Sequence, residues 1–306
     1  MAGGKLRIKA PPPPADGPVS ERRDARLARI GQSTVRRLLP HPRRRLIGAW
    51  CFLDHFGPSV STGDGGDIGL HPHIGLQTVT WLLEGELVHR DSTGSVQQIR
   101  PGQLNWMTAG RGIAHAEQDL RPAGARTHGV QLWVALPGAV RDMAPGFEHY
   151  PELPQVRVGG GQAVVLAGTL AGVRSPAHTH SPLLGADITL PDSAPQSLVL
   201  RTDFEHGVAV LEGSVTVAGE RLEVGTLLYL GRGRQRLELA GAPAGRLLLL
   251  GGLPLGEPVR MWWNYVFREP DEVRDAVAAW NGRDTDRFPE LVGYTGPRID
   301  SPDWIG

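Results

Sequence analysis

Two stretches of this chain repeat each other, and the repeat restricts the fold more than any single motif does. WLLEGELVHR (81–90) matches AVLEGSVTVAG (209–219), each carrying an apolar residue, Leu, Glu and Gly in succession. PGQLNWMTAGRG (101–112) is echoed by EVGTLLYLGRG (223–233), both ending in Gly-Arg-Gly. The surrounding segments are short, rich in Val, Leu, Thr and Trp, and cut by Gly or Pro, which is how strands joined by turns read. The 41 Gly and 26 Pro are spread along the chain, as many short strands require. Two copies of one antiparallel unit imply an all-β fold of two similar barrels or sandwiches in tandem. One late segment reads as a helix: EPDEVRDAVAAW has Pro270 near its first turn and an apolar 3–4 spacing at Val273, Val277 and Ala278.

This divides the chain into a flexible N-terminal arm (1–22) containing PPPP, a first barrel domain (23–142), a linker (143–155), a second barrel domain (156–255), and a C-terminal segment (256–306) whose helix packs back on the barrels. Lys+Arg and Asp+Glu are both 32, so no direct nucleic acid binding and no membrane partner is expected. Five arginines in VRRLLPHPRRRLIGAW read as a solvated strand-and-loop edge, because acidic residues elsewhere cancel their charge. A single cysteine, Cys51, excludes an internal disulfide and Cys-rich metal sites, and reads as a small buried hydrophobe. With neither an apolar leader nor a membrane-length apolar run, the expectation is a soluble cytoplasmic protein.

The chemistry resides in two pairs. His71 and His73, in LHPHIGLQ, share one face of a strand, since alternate residues point the same way. Among 11 histidines in 306 residues a His-x-His arises about once by accident, so that pair alone proves little. Forty-two residues after His73, however, comes IAHAEQD, where His115 and Glu117 have the same spacing. Two strands each projecting a pair inward would supply three imidazoles and a carboxylate, a set suited to one divalent transition metal with positions left for water, O2 or substrate. The second copy offers a control. Aligning the repeats places Val199 and Arg201 where His71 and His73 stand, and Arg236 and Glu238 opposite His115 and Glu117, so the second barrel should be metal-free.

A decoy pair, His178 and His180, lies about 20 residues too early for that slot and reads as an exposed loop or strand edge. His55 reads as a hydrogen-bonded structural histidine, and the spacing of His89 and His128 does not argue for ligation. Gln77 and Gln131 are candidates for polar contacts in a cavity. The chain has no G-x-S-x-G, no H-E-x-x-H and no phosphate-binding loop.

HPHIGLQTVTWLLEGELVHRDSTG followed by PGQLNWMTAGRGIAHAEQ resembles the signature of the pirins, two-domain members of the cupin superfamily. CFLDHFGP, HGVQLWVALP and the late GEPVRMWWNYVFR fit as well, so the resemblance runs from about residue 30 onward and is more specific in the first half. It implies a tandem cupin (bicupin) fold in which only the first barrel holds metal, with His71, His73, His115 and Glu117 as ligands and iron(II) as the ion. Gln77 stands where general cupins have a glutamate, and Thr108-Ala109-Gly110 precedes His115 by four residues rather than two. The family is associated with quercetin 2,3-dioxygenase activity in some members and redox-sensitive transcriptional co-regulation in others. The leading expectation is therefore a metal-dependent dioxygenase that cleaves a flavonol-like enol with O2, Glu117 serving as fourth ligand or as the base for the substrate hydroxyl. The alternatives are a non-catalytic iron-binding regulator with a protein partner, and a cupin isomerase or small-molecule binder. Metal affinity is expected to fall below about pH 6 as protons compete for imidazole.

Overall fold

Each repeat folds into an antiparallel unit of one large and one small sheet, seen in a computed structural model that describes residues 17–31, 33–61, 67–119, 122–191, 194–241 and 245–305. In the first barrel the large sheet has seven strands, in spatial order Gly146–Tyr150, Leu104–Thr108, Leu76–Glu84, Arg126–Ala135, Trp50–Val60, Ser33–Leu39 and Arg26–Ile30. Facing it is a four-stranded sheet ordered Ile68–His73, Ile113–Gln118, Leu87–Asp91, Val96–Ile99. The second barrel pairs an eight-stranded sheet with a small sheet of Gln196–Val199, Arg236–Gly241, Ser214–Val217 and Glu220–Glu223.

The repeated glycines have a common physical cause. Gly85 and Gly213 follow the Leu-Glu of each copy and take φ of 87° and 63°, while Gly110 and Gly231 open each Gly-Arg-Gly with φ of 53° and 67°. Side chains with a Cβ avoid that region, so both turns of both copies call for glycine.

Alternation along the strands sorts the core into layers. On Leu76–Glu84, Val79, Trp81 and Leu83 join a large cluster between the barrels, with Trp50, Trp106 and Leu132 on one side and Leu211, Tyr229 and Leu248 on the other. Leu76 points the opposite way, into the first barrel with Cys51, Met107 and Trp133. The interior of the second barrel is aliphatic, with Leu198, Leu237 and Leu239 among its residues. The two large sheets thus pack face to face, and each small sheet lies on the far side of its own barrel.

Of the expected arm, residues 1–16 lie outside the described residues, whereas Pro18–Asp24 is a strand paired with Thr226–Gly231 of the second barrel. The chain crosses to the first barrel at Ala25. The expected linker contains Gly146–Tyr150, an edge strand on Leu104–Thr108. The helix is Pro270–Asn281, with Pro270 in its first turn and Glu272 accepting from the Glu269 N–H at 2.9 Å. Its buried residues are Val273, Ala276, Val277 and Trp280, so Ala276 takes the place expected for Ala278. It packs on the first barrel, against Ile74, Ala114 and Ala116 on the outer face of the small sheet. No helix among the described residues is long and apolar enough to cross a membrane.

Candidate metal centre

The strands Ile68–His73 and Ile113–Gln118 are neighbours, with His71 opposite His115 and His73 opposite Ile113. Their period of two turns His71, His73, His115 and Glu117 to the barrel interior, while Ala114 and Ala116 face the C-terminal segment. All four inward residues are buried. The ring centroids of His71, His73 and His115 lie 4.4 to 5.0 Å apart, and His73 Nε2 is 3.1 Å from His115 Nε2. One ligand atom from each of the three falls within 4.8 Å of the others. A register shift follows His115, and Glu117 groups at that distance with His115 and His89 instead.

The outer nitrogens explain why these rings face inward. His71 Nδ1 donates to the Gly69 carbonyl at 2.7 Å, and His73 Nδ1 donates to the Asn264 carbonyl at 2.8 Å. Asn264 sits in the turn between Arg260–Trp262 and Tyr265–Phe267, so the C-terminal hairpin orients a histidine of the first barrel. A neutral imidazole protonated at Nδ1 carries its lone pair on Nε2. Burial keeps these rings neutral. It holds His71 down to about 4, and burial with neighbouring imidazoles holds His73 and His115 well below the usual histidine value. Lone pairs converging in a buried space fit a divalent ion of the borderline-soft class. Burial raises the pKa of Glu117, whose Oε1 accepts from Thr80 Oγ1 at 3.1 Å.

A cavity of about 310 Å³ reaches this centre at Glu117. Val35, Phe56, Ile68 and Leu87 give it apolar walls and Gln131 a polar contact. Asp54 and Asp119 also line it.

Of the two glutamine candidates, Gln131 lines the cavity, 3.0 Å from the Thr80 hydroxyl. Gln77 points the other way, donating to Thr108 Oγ1 and to the His178 carbonyl of the second barrel. His55 is structural, 2.7 Å from His128 through their Nε2 atoms, and His128 Nδ1 meets Glu212 of the second barrel at 3.3 Å. His178 is largely exposed and bonds Glu148. Cys51 is buried, its thiol pushed up to about 12 by burial.

The repeat alignment needs a one-residue correction. Val199 is 66% exposed, and Arg236 and Glu238 are exposed too, whereas Leu198, Leu237 and Leu239 turn inward. A slip of one residue exchanges the faces of a strand. Leucines hold the inward positions Leu198, Leu237 and Leu239, and among the described residues no cluster of potential ligands occurs in the second barrel.

Sequence reasoning passed over His89. It lies opposite Glu117 on the neighbouring strand, with Nδ1 3.5 Å from His115 Nδ1 and Nε2 2.8 Å from Asp91 Oδ2. The signal was present as a third alternate-residue pair, His89 and Asp91, in LVHRD.

The sequence matches the Pirin family model over residues 32–134 and the Pirin C-terminal cupin domain model over residues 185–286. It is 50% identical to a Pseudomonas aeruginosa protein named "Putative quercetin 2,3-dioxygenase" over 284 residues, covering 92% of this chain and 90% of that one. A "Pirin-like protein" of Caulobacter vibrioides is 37% identical over 265 residues, covering 84% and 91%. Among solved structures, a quercetin 2,3-dioxygenase from Acinetobacter baumannii superposes with a TM-score of 0.90 at 41% identity, covering 93% of this chain and 95% of that one.

Proposed function

The chain belongs to the pirin family, and from that premise we propose that it is a metal-dependent dioxygenase of the quercetin 2,3-dioxygenase type. It acts in the cytoplasm on a flavonol-like enol and O2, with one iron(II) per chain held by His71, His73, His115 and Glu117. The observation that carries this reading is the set of three buried imidazoles with ligand atoms within 4.8 Å of one another, beside a carboxylate at the inner end of a cavity. The names of two relatives, one in sequence and one in structure, point to the same reaction.

When bound, such an ion supplies Lewis acidity and one-electron redox chemistry. The protein's own groups do the rest. Apolar walls from Val35, Phe56, Ile68 and Leu87 exclude water from a flat substrate. The carboxylates of Asp54 and Asp119 in the lining disfavour an organic anion and suit a neutral enol. Burial makes Glu117 a stronger base than an exposed glutamate, suited to taking the enol proton, and Thr80 steadies one of its oxygens.

The test is to load the metal-free protein anaerobically with Fe(II), Mn(II), Co(II), Ni(II) or Cu(II), then follow quercetin absorbance and O2 uptake together. Matched loss of both, fastest with Fe(II), is expected. No turnover with any metal, in samples shown to be loaded, would overturn the reading.

A further inference from the structure

We propose that His89 and Asp91 are positioning residues of the metal centre: Asp91 fixes His89 in the tautomer that accepts from His115 Nδ1–H, which leaves the His115 Nε2 lone pair for the metal. The inference rests on the reading that His71, His73 and His115 are ligands, and it assigns the part of the centre that the backbone does not orient.

Asp91 is buried and surrounded by donors. Its Oδ1 accepts from Thr93 N at 2.8 Å, Thr93 Oγ1 at 2.6 Å and Ser95 N at 3.3 Å, and its Oδ2 accepts from His89 Nε2 at 2.8 Å. A carboxylate in that setting is an acceptor only, so the His89 proton sits on Nε2 and its lone pair on Nδ1. That lone pair faces His115 Nδ1 at 3.5 Å. Two facing lone pairs would repel, so the proton between them belongs to His115 Nδ1. His115 Nε2 is then bare, 3.1 Å from His73 Nε2, which is bare because His73 Nδ1 donates to the Asn264 carbonyl.

Each of the three imidazoles therefore has an outward N–H. Two of these end on backbone carbonyls, of Gly69 and Asn264, which no substitution removes. The third ends on a side chain backed by a negative charge. The His89 ring is held in place by stacking on Phe147, with centroids 4.4 Å apart and planes within 11°. Phe147 comes from the edge strand of the opposite sheet, so the device spans the barrel. An acceptor behind a ligating imidazole orients the ring and raises its basicity, and losing one typically costs 10- to 100-fold in metal affinity.

His89 also lies within ligand reach of His115 and Glu117. For it to bind an ion alongside His115 Nδ1 while His115 Nε2 served the first, His115 would have to become a bridging imidazolate holding two ions per chain. The outward N–H chain needs no such species.

The experiment uses the full chain loaded with Co(II), whose paramagnetism shifts ligand imidazole N–H protons far downfield in proton NMR. Wild type should bind one Co(II) and show three exchangeable shifted signals. His89→Ala and the isosteric Asp91→Asn should still bind one Co(II), about 10- to 100-fold more weakly against a competing chelator, with one signal lost to exchange. His89→Asn, whose Oδ1 can occupy the place of Nδ1, should restore the signal and most of the affinity. Two shifted signals in wild type would overturn the proposal without any variant. So would unchanged affinity and three signals in His89→Ala, or two Co(II) per wild-type chain falling to one in that variant. His73→Ala separates the premises: Co(II) retained there would sink the ligand assignment itself, whatever His89 does.

Discussion

Every imidazole of the centre divides its two nitrogens between an outward anchor and an inward lone pair, so substitutions there should separate binding from folding. His73→Ala removes a lone pair from a scaffold whose interior is otherwise filled by Leu76, Met107 and Trp133. It should abolish metal binding while the metal-free variant keeps the wild-type near-UV dichroism of its tryptophans. His178→Ala, on an exposed loop bonded to Glu148, should leave metal content unchanged by elemental analysis. Metal retained in the first variant, or lost in the second, would refute the site. Burial also alters the expected response to pH. His55 is held down to about 3 and His71 and His206 to about 4, each by burial first. Above about 6.5 these groups are neutral folded or unfolded and contribute no pH dependence. Below it the unfolded chain takes up protons that the folded chain refuses, so stability falls as pH drops and levels off near the folded values. Glu117 and Asp54, raised by burial, act with the opposite sign but are outnumbered. The urea midpoint of the metal-free protein should therefore hold above pH 6.5 and decline steadily toward pH 4; a flat midpoint across that window would contradict the burial argument. For the same reason proton competition at the imidazoles sets in below the pH 6 expected of exposed histidines.

At the scale of elements, the sheet that carries the four candidate ligands is a layer between the barrel interior and the C-terminal segment. Trp280 is the anchor of that outer layer: buried, donating to the Ile299 carbonyl at 2.9 Å, edge-on to Phe288 and covered by Arg298 at 3.5 Å. Trp280→Ala should cost about 3–5 kcal/mol in urea unfolding. Asn264→Ala should leave Co(II) affinity within twofold of wild type, because it is the backbone carbonyl of Asn264 that holds His73. A large loss there would mean that the side chain does the orienting. These elements also show what a sequence discloses. His71, His73, His115 and Glu117 were legible because a strand's period of two turns spacing directly into facing. The helix was legible from Pro270 and its apolar stripe. The second barrel's inward positions were misread by one residue, since alternation is unforgiving of a slip and Val199 is as apolar as Leu198. His89 was passed over because its importance depends on which strand neighbours Glu117, which is a matter of pairing. Pro18–Asp24 and Gly146–Tyr150 are edge strands of alternating or polar residues, and what makes them strands is a partner elsewhere in the fold.

The whole molecule is organised around the face between its barrels. Trp81 of the first donates to Asp187 of the second, which also takes both arms of Arg246. Trp50 donates to the Leu184 and Gly251 carbonyls across the same boundary. Arg44, from the arginine-rich run, lies over the Tyr229 ring of the second barrel at 3.9 Å, so this part of the run joins the barrels. A core shared in this way should unfold in one transition. The strand Pro18–Asp24 adds a topological tie, since the first described strand belongs to the second barrel and the next to the first. Deleting residues 1–25 would strip that strand from Thr226–Gly231, a strand whose residues are all buried, and leave an apolar edge with unpaired backbone groups. The truncated chain should therefore melt at a lower temperature, still in a single transition, and associate in a concentration-dependent way by light scattering. Its soluble fraction should nonetheless bind one Co(II), because the ligand strands belong to the small sheet of the other barrel. A truncated protein that stays monomeric with an unchanged midpoint would show that the N-terminal strand only decorates the sheet. Loss of metal with the fold intact would show that the barrels are coupled more tightly than their contacts require.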